Sequence, residues 1–94
     1  MATVSVVFGV KDDELPFLKY ATQSEDLTSS GASQTSTNSG LSGDDCVEVA
    51  TSSGAIWVSL DGTDAAAGHQ FLLPDGTTRH FAAGIGTQVK IIDA

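Results

Sequence analysis

Cysteine occurs once in the chain, histidine twice, and lysine and arginine together only four times among 94 residues. The single Cys46 allows no intrachain disulfide and no cysteine-based zinc cluster. It precedes Val47 and Val49 in a strand-like run, which predicts a buried or half-buried thiol rather than a reactive one. His69 and His80 fall in no metal-ligand spacing, so no metal site and no cofactor are expected. With 4 basic against 12 acidic residues the formal net charge is −8, and no Lys/Arg stripe exists that could displace counterions from a phosphate backbone. Nucleic acid and membrane surfaces are excluded as partners on that ground. An acidic coat suits a basic protein partner or the solubility of crowded copies. No apolar run approaches the ~18 residues that span a bilayer. A secretory signal is not apparent either, so a soluble protein made in a cytoplasm is expected.

A chain of 94 residues holds one small domain. Domains of this size bury about 60–68% of the surface their unfolded chains expose, so stability is marginal. Oligomerisation, or docking on a larger body, is a usual remedy.

Three zones follow one another. In residues 1–22, Val4, Val6, Phe8 and Val10 alternate with mostly small or polar residues, the period of a half-buried strand. A charged turn, Lys11 to Glu14, leads to Leu15-Pro16-Phe17-Leu18-Lys19-Tyr20. Pro16 lacks an N–H donor, which makes this segment an edge strand or an arm. Residues 23–43 include a tract from Thr28 to Gly43 that is almost wholly Ser, Thr, Gly, Gln and Asn. Its composition predicts a flexible linker or long loop, held in place, where it is ordered, by a neighbouring subunit.

The third zone, residues 44–94, forms a β-module with residues 1–22. Cys46–Ala50 and Ala55–Leu60 read as a hairpin across the turn cluster Thr51–Gly54, with Val47 and Val49 sharing a face with Ile56, Val58 and Leu60. Asp61-Gly62 ends the second of these strands, and Ala65–Ala67 could add one helical turn before Gly68. Gln70–Leu73, Thr77–Ala82 and Gln88–Ile92 complete the strands. Pro74-Asp75-Gly76 sets one turn, with Pro at the second position and Gly at the fourth; Gly84-Ile85-Gly86 sets another. The class is all-β: a small antiparallel β-sandwich or barrel with a long Ser/Thr/Gly-rich loop.

No reactive constellation stands out. Asp61 and Asp64 lack the oxygen-ligand ladder of a calcium loop and read as a turn whose aspartates cap backbone N–H groups. Gly84-Ile85-Gly86 lacks the third glycine of a dinucleotide loop, and no serine sits in a nucleophile elbow. Trp57 occupies the strand face opposite Ile56 and Val58, where it fills a second apolar layer, lies at a subunit contact, or stacks on a ligand ring. The chain is not expected to be an enzyme.

The run Ala55-Ile56-Trp57-Val58-Ser59-Leu60-Asp61-Gly62-Thr63-Asp64-Ala65-Ala66 resembles a pattern in small virion proteins of tailed bacteriophages. There, a strand with an aromatic leads into a Gly-Thr-x-x-Ala loop. Phe71-Leu72-Leu73-Pro74-Asp75-Gly76, then Phe81, Gly86 and the strand through Val89-Lys90-Ile91-Ile92, continue the likeness, which covers mainly residues 55–94. The resemblance implies a structural β-module without catalytic residues, a capsid decoration or cement protein on the virion surface. Its partners would be the major capsid protein or other virion proteins, and it would be a homo-oligomer.

On this expectation the protein binds only the assembled shell and shifts assembly toward the intact particle. The strand Val4–Val10 or the Ser/Thr/Gly tract would serve as an arm added to a sheet edge. The candidate interface residues are Val4, Val6, Phe8, Phe17, Tyr20 and Trp57. The rival readings are a carbohydrate- or receptor-binding module of a head fibre or tail accessory, with Trp57 or Tyr20 as stacking platform, and an acidic DNA-mimic inhibitor.

Overall fold

The computed structural model describes residues 1–12 and 18–94. Among them eight strands run β1 (Thr3–Lys11), β2 (Leu18–Thr28), β3 (Gln34–Ser39), β4 (Cys46–Ser52), β5 (Ile56–Ser59), β6 (Phe71–Leu73), β7 (Thr78–Ala82) and β8 (Gln88–Asp93). They form two four-stranded sheets, one in the order β2-β1-β4-β7 and the other β3-β8-β5-β6. All pairings are antiparallel. The all-β class is therefore as expected, and the form is a sandwich.

The winding has a simple logic. From β2 onward the chain is one long hairpin folded about the loop at residues 60–70: β5 pairs with β6, β4 with β7, and β3 with β8. Rolling that ribbon places alternate rungs in opposite sheets, the winding of a jelly roll. Its last rung is closed by β1, which lies between β2 and β4.

Strand alternation supplies the core. From the first sheet Val4, Val6, Phe8, Val47, Val49 and Phe81 point inward, and Ile56, Val58, Leu73, Val89 and Ile91 meet them from the second. Burying each such side chain stabilises the fold by about 1.5–3 kcal/mol.

Several expectations change here. The strand expected to pair as an arm, β1, is already bonded on both sides, and Val4, Val6 and Phe8 are fully buried. They are core, and they have no free edge to offer. The supposed hairpin of β4 with β5 is a crossing between sheets, made possible by positive φ at Ser53 and Gly54. Val47 and Val49 still meet Ile56 and Val58, but across the core. Ala65–Ala67 form no helix. At Pro74 the turn starts one residue later than read: Thr77 N–H donates to the Pro74 carbonyl at 3.3 Å, which puts Gly76, with φ 74°, at the third position.

The polar tract is the largest correction. It holds β3 and the end of β2, and the division expected at residues 22/23 falls inside β2. Hydroxyls and carboxylates do there what apolar burial does elsewhere. Ser36 is buried; its hydroxyl accepts from Val89 N–H at 3.0 Å and donates to the Asn38 carbonyl at 2.7 Å. Buried Ser29 accepts from Ala2 N–H at 2.7 Å and donates to Asp93. Where the β3–β8 ladder breaks between Thr35 and Ser39, the Glu25 carboxylate of β2 accepts the N–H groups of Thr37 (3.1 Å) and Asn38 (2.7 Å). Gly40 then passes so near the Gly84 carbonyl that any side chain there would collide with it. Among the described residues no buried side-chain nitrogen or oxygen lacks a partner.

Two outcomes follow from this packing. Phe8→Ala should remove about 3–5 kcal/mol, a large share of a small domain's stability, so denaturant unfolding will show a collapsed midpoint rather than a stable protein that merely fails to bind. Glu25→Ala should cost about 1 kcal/mol, with protection lost selectively at the Thr37 and Asn38 amides in hydrogen exchange, while the Val89 amide stays protected.

Candidate interaction surface

The outer face of the second sheet carries an apolar row. Trp57 sits in register with Leu72 on one side and Ile92 on the other. All three point away from the core, because their strand neighbours Ile56, Val58, Leu73 and Ile91 are the buried ones. Leu72 is 45% exposed, and Trp57 and Ile92 are partly buried. Side chains in such a row stand about 5 Å apart, close enough to form one continuous strip.

Beside this strip the 60–70 loop is folded onto the next row. Ser59 is fully buried beneath it and bonds the Thr63 carbonyl at 2.7 Å. Lys90, in register with Ser59, lays its stem on the sheet and reaches Asp64 at 3.0 Å. Ala65 N–H donates to Ser33 at 3.0 Å and Leu60 N–H to the Gln70 side chain at 2.7 Å. Asp61 is the hub: its carboxylate accepts from Thr63 N–H at 2.9 Å and bonds the Ser59 hydroxyl and His69 Nε2 at 3.0 Å each. The Thr63 N–H first, and His69 next, hold this carboxyl well below the usual carboxylate range. The capping role expected of the two aspartates is filled by Asp61, whereas Asp64 pairs with Lys90.

The chemistry of the hub is structural. In a nucleophilic relay the imidazole stands between carboxylate and hydroxyl. Here Ser59 and His69 both address the carboxylate, and Ser59 is out of solvent. His80 lies across from Glu48 on the outer face of the first sheet, 2.9 Å away. Cys46 is buried, and burial followed by the charges of Asp45 and Glu48 pushes its thiol pKa up, away from reactivity. Among the described residues no three His, Cys, Asp or Glu side chains are grouped to hold a metal ion, and no helix is long and apolar enough to cross a membrane.

The other candidate interface residues do not gather around Trp57. Tyr20, 56% exposed, pairs with Val10 in the opposite sheet, near the end where Gly40 meets Gly84. That end also exposes Leu41 and Ile85, and it is organised by buried Asp44, which accepts from Thr22 at 2.8 Å and from Leu41 N–H at 2.8 Å. Phe17 lies outside the described residues. Leu72 and Ile92 were not singled out from the sequence, although the adjacent pair Ile91-Ile92 signals a strand apolar on both faces.

The fold and this surface define an all-β jelly-roll sandwich with an apolar strip on one sheet. Compared with known proteins, the chain matches no family model, no curated protein and no solved structure.

The Asp61 hub makes a pH-dependent difference testable. A carboxyl with a lowered folded-state pKa contributes stability that is complete above its unfolded value, about 3.9, and fades as pH falls through the lower folded value. Asp61→Asn keeps an acceptor for Thr63 but removes the charge. The melting-temperature gap between wild type and variant should be open at about pH 5 and close as pH falls below about 4. A gap that widened as pH fell from about 4 to about 2 would contradict this role.

Proposed function

We propose that the protein is a non-catalytic structural module of a virion, a decoration or cement protein attached to the outside of an assembled tailed-phage shell. The observation that carries this reading is the solvent-facing row Leu72–Trp57–Ile92. Exposed apolar strips of this kind suit protein contact, and tryptophan is the residue type most often dominant in such contacts. The likeness of residues 55–94 to small phage virion proteins supports it. The jelly-roll winding, found in viral capsid and lectin domains, adds only a fold-level analogy.

Attachment works through a sheet face, since β1 is occupied within the core. Three side chains are far less than the ~800 Å² per partner of a stable interface, so each contact is weak and repetition over a shell supplies avidity. A protein that binds the closed shell and not its separate subunits draws the equilibrium toward closure.

A carbohydrate- or receptor-binding role is the second reading, favoured by the outward placement of the Trp57 ring. Its in-register neighbours, however, are aliphatic, where a sugar site needs hydrogen-bonding groups beside the ring.

Shells with and without the protein, challenged by heat and low salt, decide the matter: protected shells support cementing, and equal survival overturns it. Trp57→Ala should leave the fold intact and weaken binding by ~2 kcal/mol or more, about 30-fold. Occupancy on purified particles measures that loss.

A further inference from the structure

We infer that the surface which covers Leu72, Trp57 and Ile92 belongs to a different protein, one presenting an apolar strip bordered by lysine or arginine side chains, and not to a second copy of this chain. The inference rests on the proposed docking role of the row and adds the chemistry of its partner.

The argument is one of charge around an apolar centre. On one flank of the row the 60–70 loop holds Asp61 and Asp64 in place, with side chains 40% and 80% exposed. On the other, the turn after β6 exposes Asp75. The ammonium of Lys90 is already engaged by Asp64, and its side chain is only 18% exposed. Arg79 lies at the sheet edge with its guanidinium over the rings of Phe71 and Phe81, 5.0 and 5.2 Å from their centroids. His69 is committed to Asp61. Exposed carboxylates therefore border the row on both flanks, and the basic groups near it are each engaged within the chain, whose net charge is −8.

Two copies packed through this face would set these carboxylates against each other, since a two-fold contact brings the same patch to both sides. Like charges juxtaposed at an interface are costly, and opposite charges steer encounter and fix register. The carboxylates are preorganised: Asp61 is held by the Thr63 N–H and His69, and Asp64 by Lys90. Little ordering is then needed when a cationic partner arrives.

Trp57 is the only tryptophan and so reports directly on its own burial. The probe is a short peptide of alternating leucine and lysine, with leucine–glutamate and leucine–serine peptides as controls. The leucine–lysine peptide should shift Trp57 emission to the blue with saturable affinity. Raising salt from about 50 to about 500 mM should weaken that binding about ten-fold. The paired substitution of Asp64→Asn with Asp75→Asn, two exposed carboxylates outside the Asp61 hub, should weaken it about three- to ten-fold without changing the fold. Leu72→Ser should weaken it at either salt concentration. An equal response to the glutamate or serine peptide overturns the cationic partner. A blue shift that grows with protein concentration alone overturns it too, because the occupant is then a second copy.

The two proposals fail separately. If shells lose Trp57→Ala protein but hold the paired aspartate variant as firmly as wild type at every salt concentration, the docking role stands and the cationic partner falls. If shells hold Trp57→Ala protein as firmly as wild type, docking through this row falls.

Discussion

The inner strands of this sandwich spend alternate side chains on the space between two sheets, and that constraint decides what is left for the outside. A sandwich core is only about 10 Å thick, so each strand contributes alternate residues and no more. Val58 and Ile56 are drawn in, and Trp57 between them is thereby turned out. The same alternation in β6 and β8 sends Leu73 and Ile91 inward and Leu72 and Ile92 outward. Register then brings the three outward residues to one level. The outward apolar row is thus a by-product of core packing, set by the same strands that fill the interior.

The sandwich has two open flanks, and polar or cationic groups close both. On the β2–β3 flank the Glu25 carboxylate and the Gln23 amide bond the backbone of β3. An inward-pointing charge at an edge also discourages a further strand from pairing there. On the β6–β7 flank Arg79 covers two core aromatics, Phe71 and Phe81, which themselves pack 4.8 Å apart. A guanidinium over a ring face is stabilising and keeps the edge wet.

Legibility in the sequence follows the same division. Strands that bury aliphatic residues by alternation announce themselves: β1, β4, β5 and β8 are readable within a residue or two from Val4 to Val10, Cys46 to Ala50, Ala55 to Leu60 and Gln88 to Ile92. Strand β3 is not, because Gln34–Ser39 contains no apolar residue and its order comes from Ser36, Glu25 and the β8 backbone. Those partners lie 12 or more residues away, beyond any local pattern. Sheet membership was equally hidden. A Gly-containing turn cluster at 51–54 fits a hairpin and a crossing alike, and only the rolled long-range pairing of β4 with β7 distinguishes them. On the surface, Trp57 was readable from alternation alone. Leu72 and Ile92 needed the register.

Moving β1 from arm to core also changes how a protein this small can adhere. A free arm gains affinity by adding main-chain hydrogen bonds, at the entropic cost of ordering a flexible segment. A preformed face avoids that cost, but its apolar strip is narrow, so a single copy holds weakly. Under the proposed role, weak contacts repeated over a shell that is itself a repeat would add up by avidity. In that role an acidic exterior would keep neighbouring copies apart, and the net charge of −8 would be part of the spacing rather than an obstacle to it.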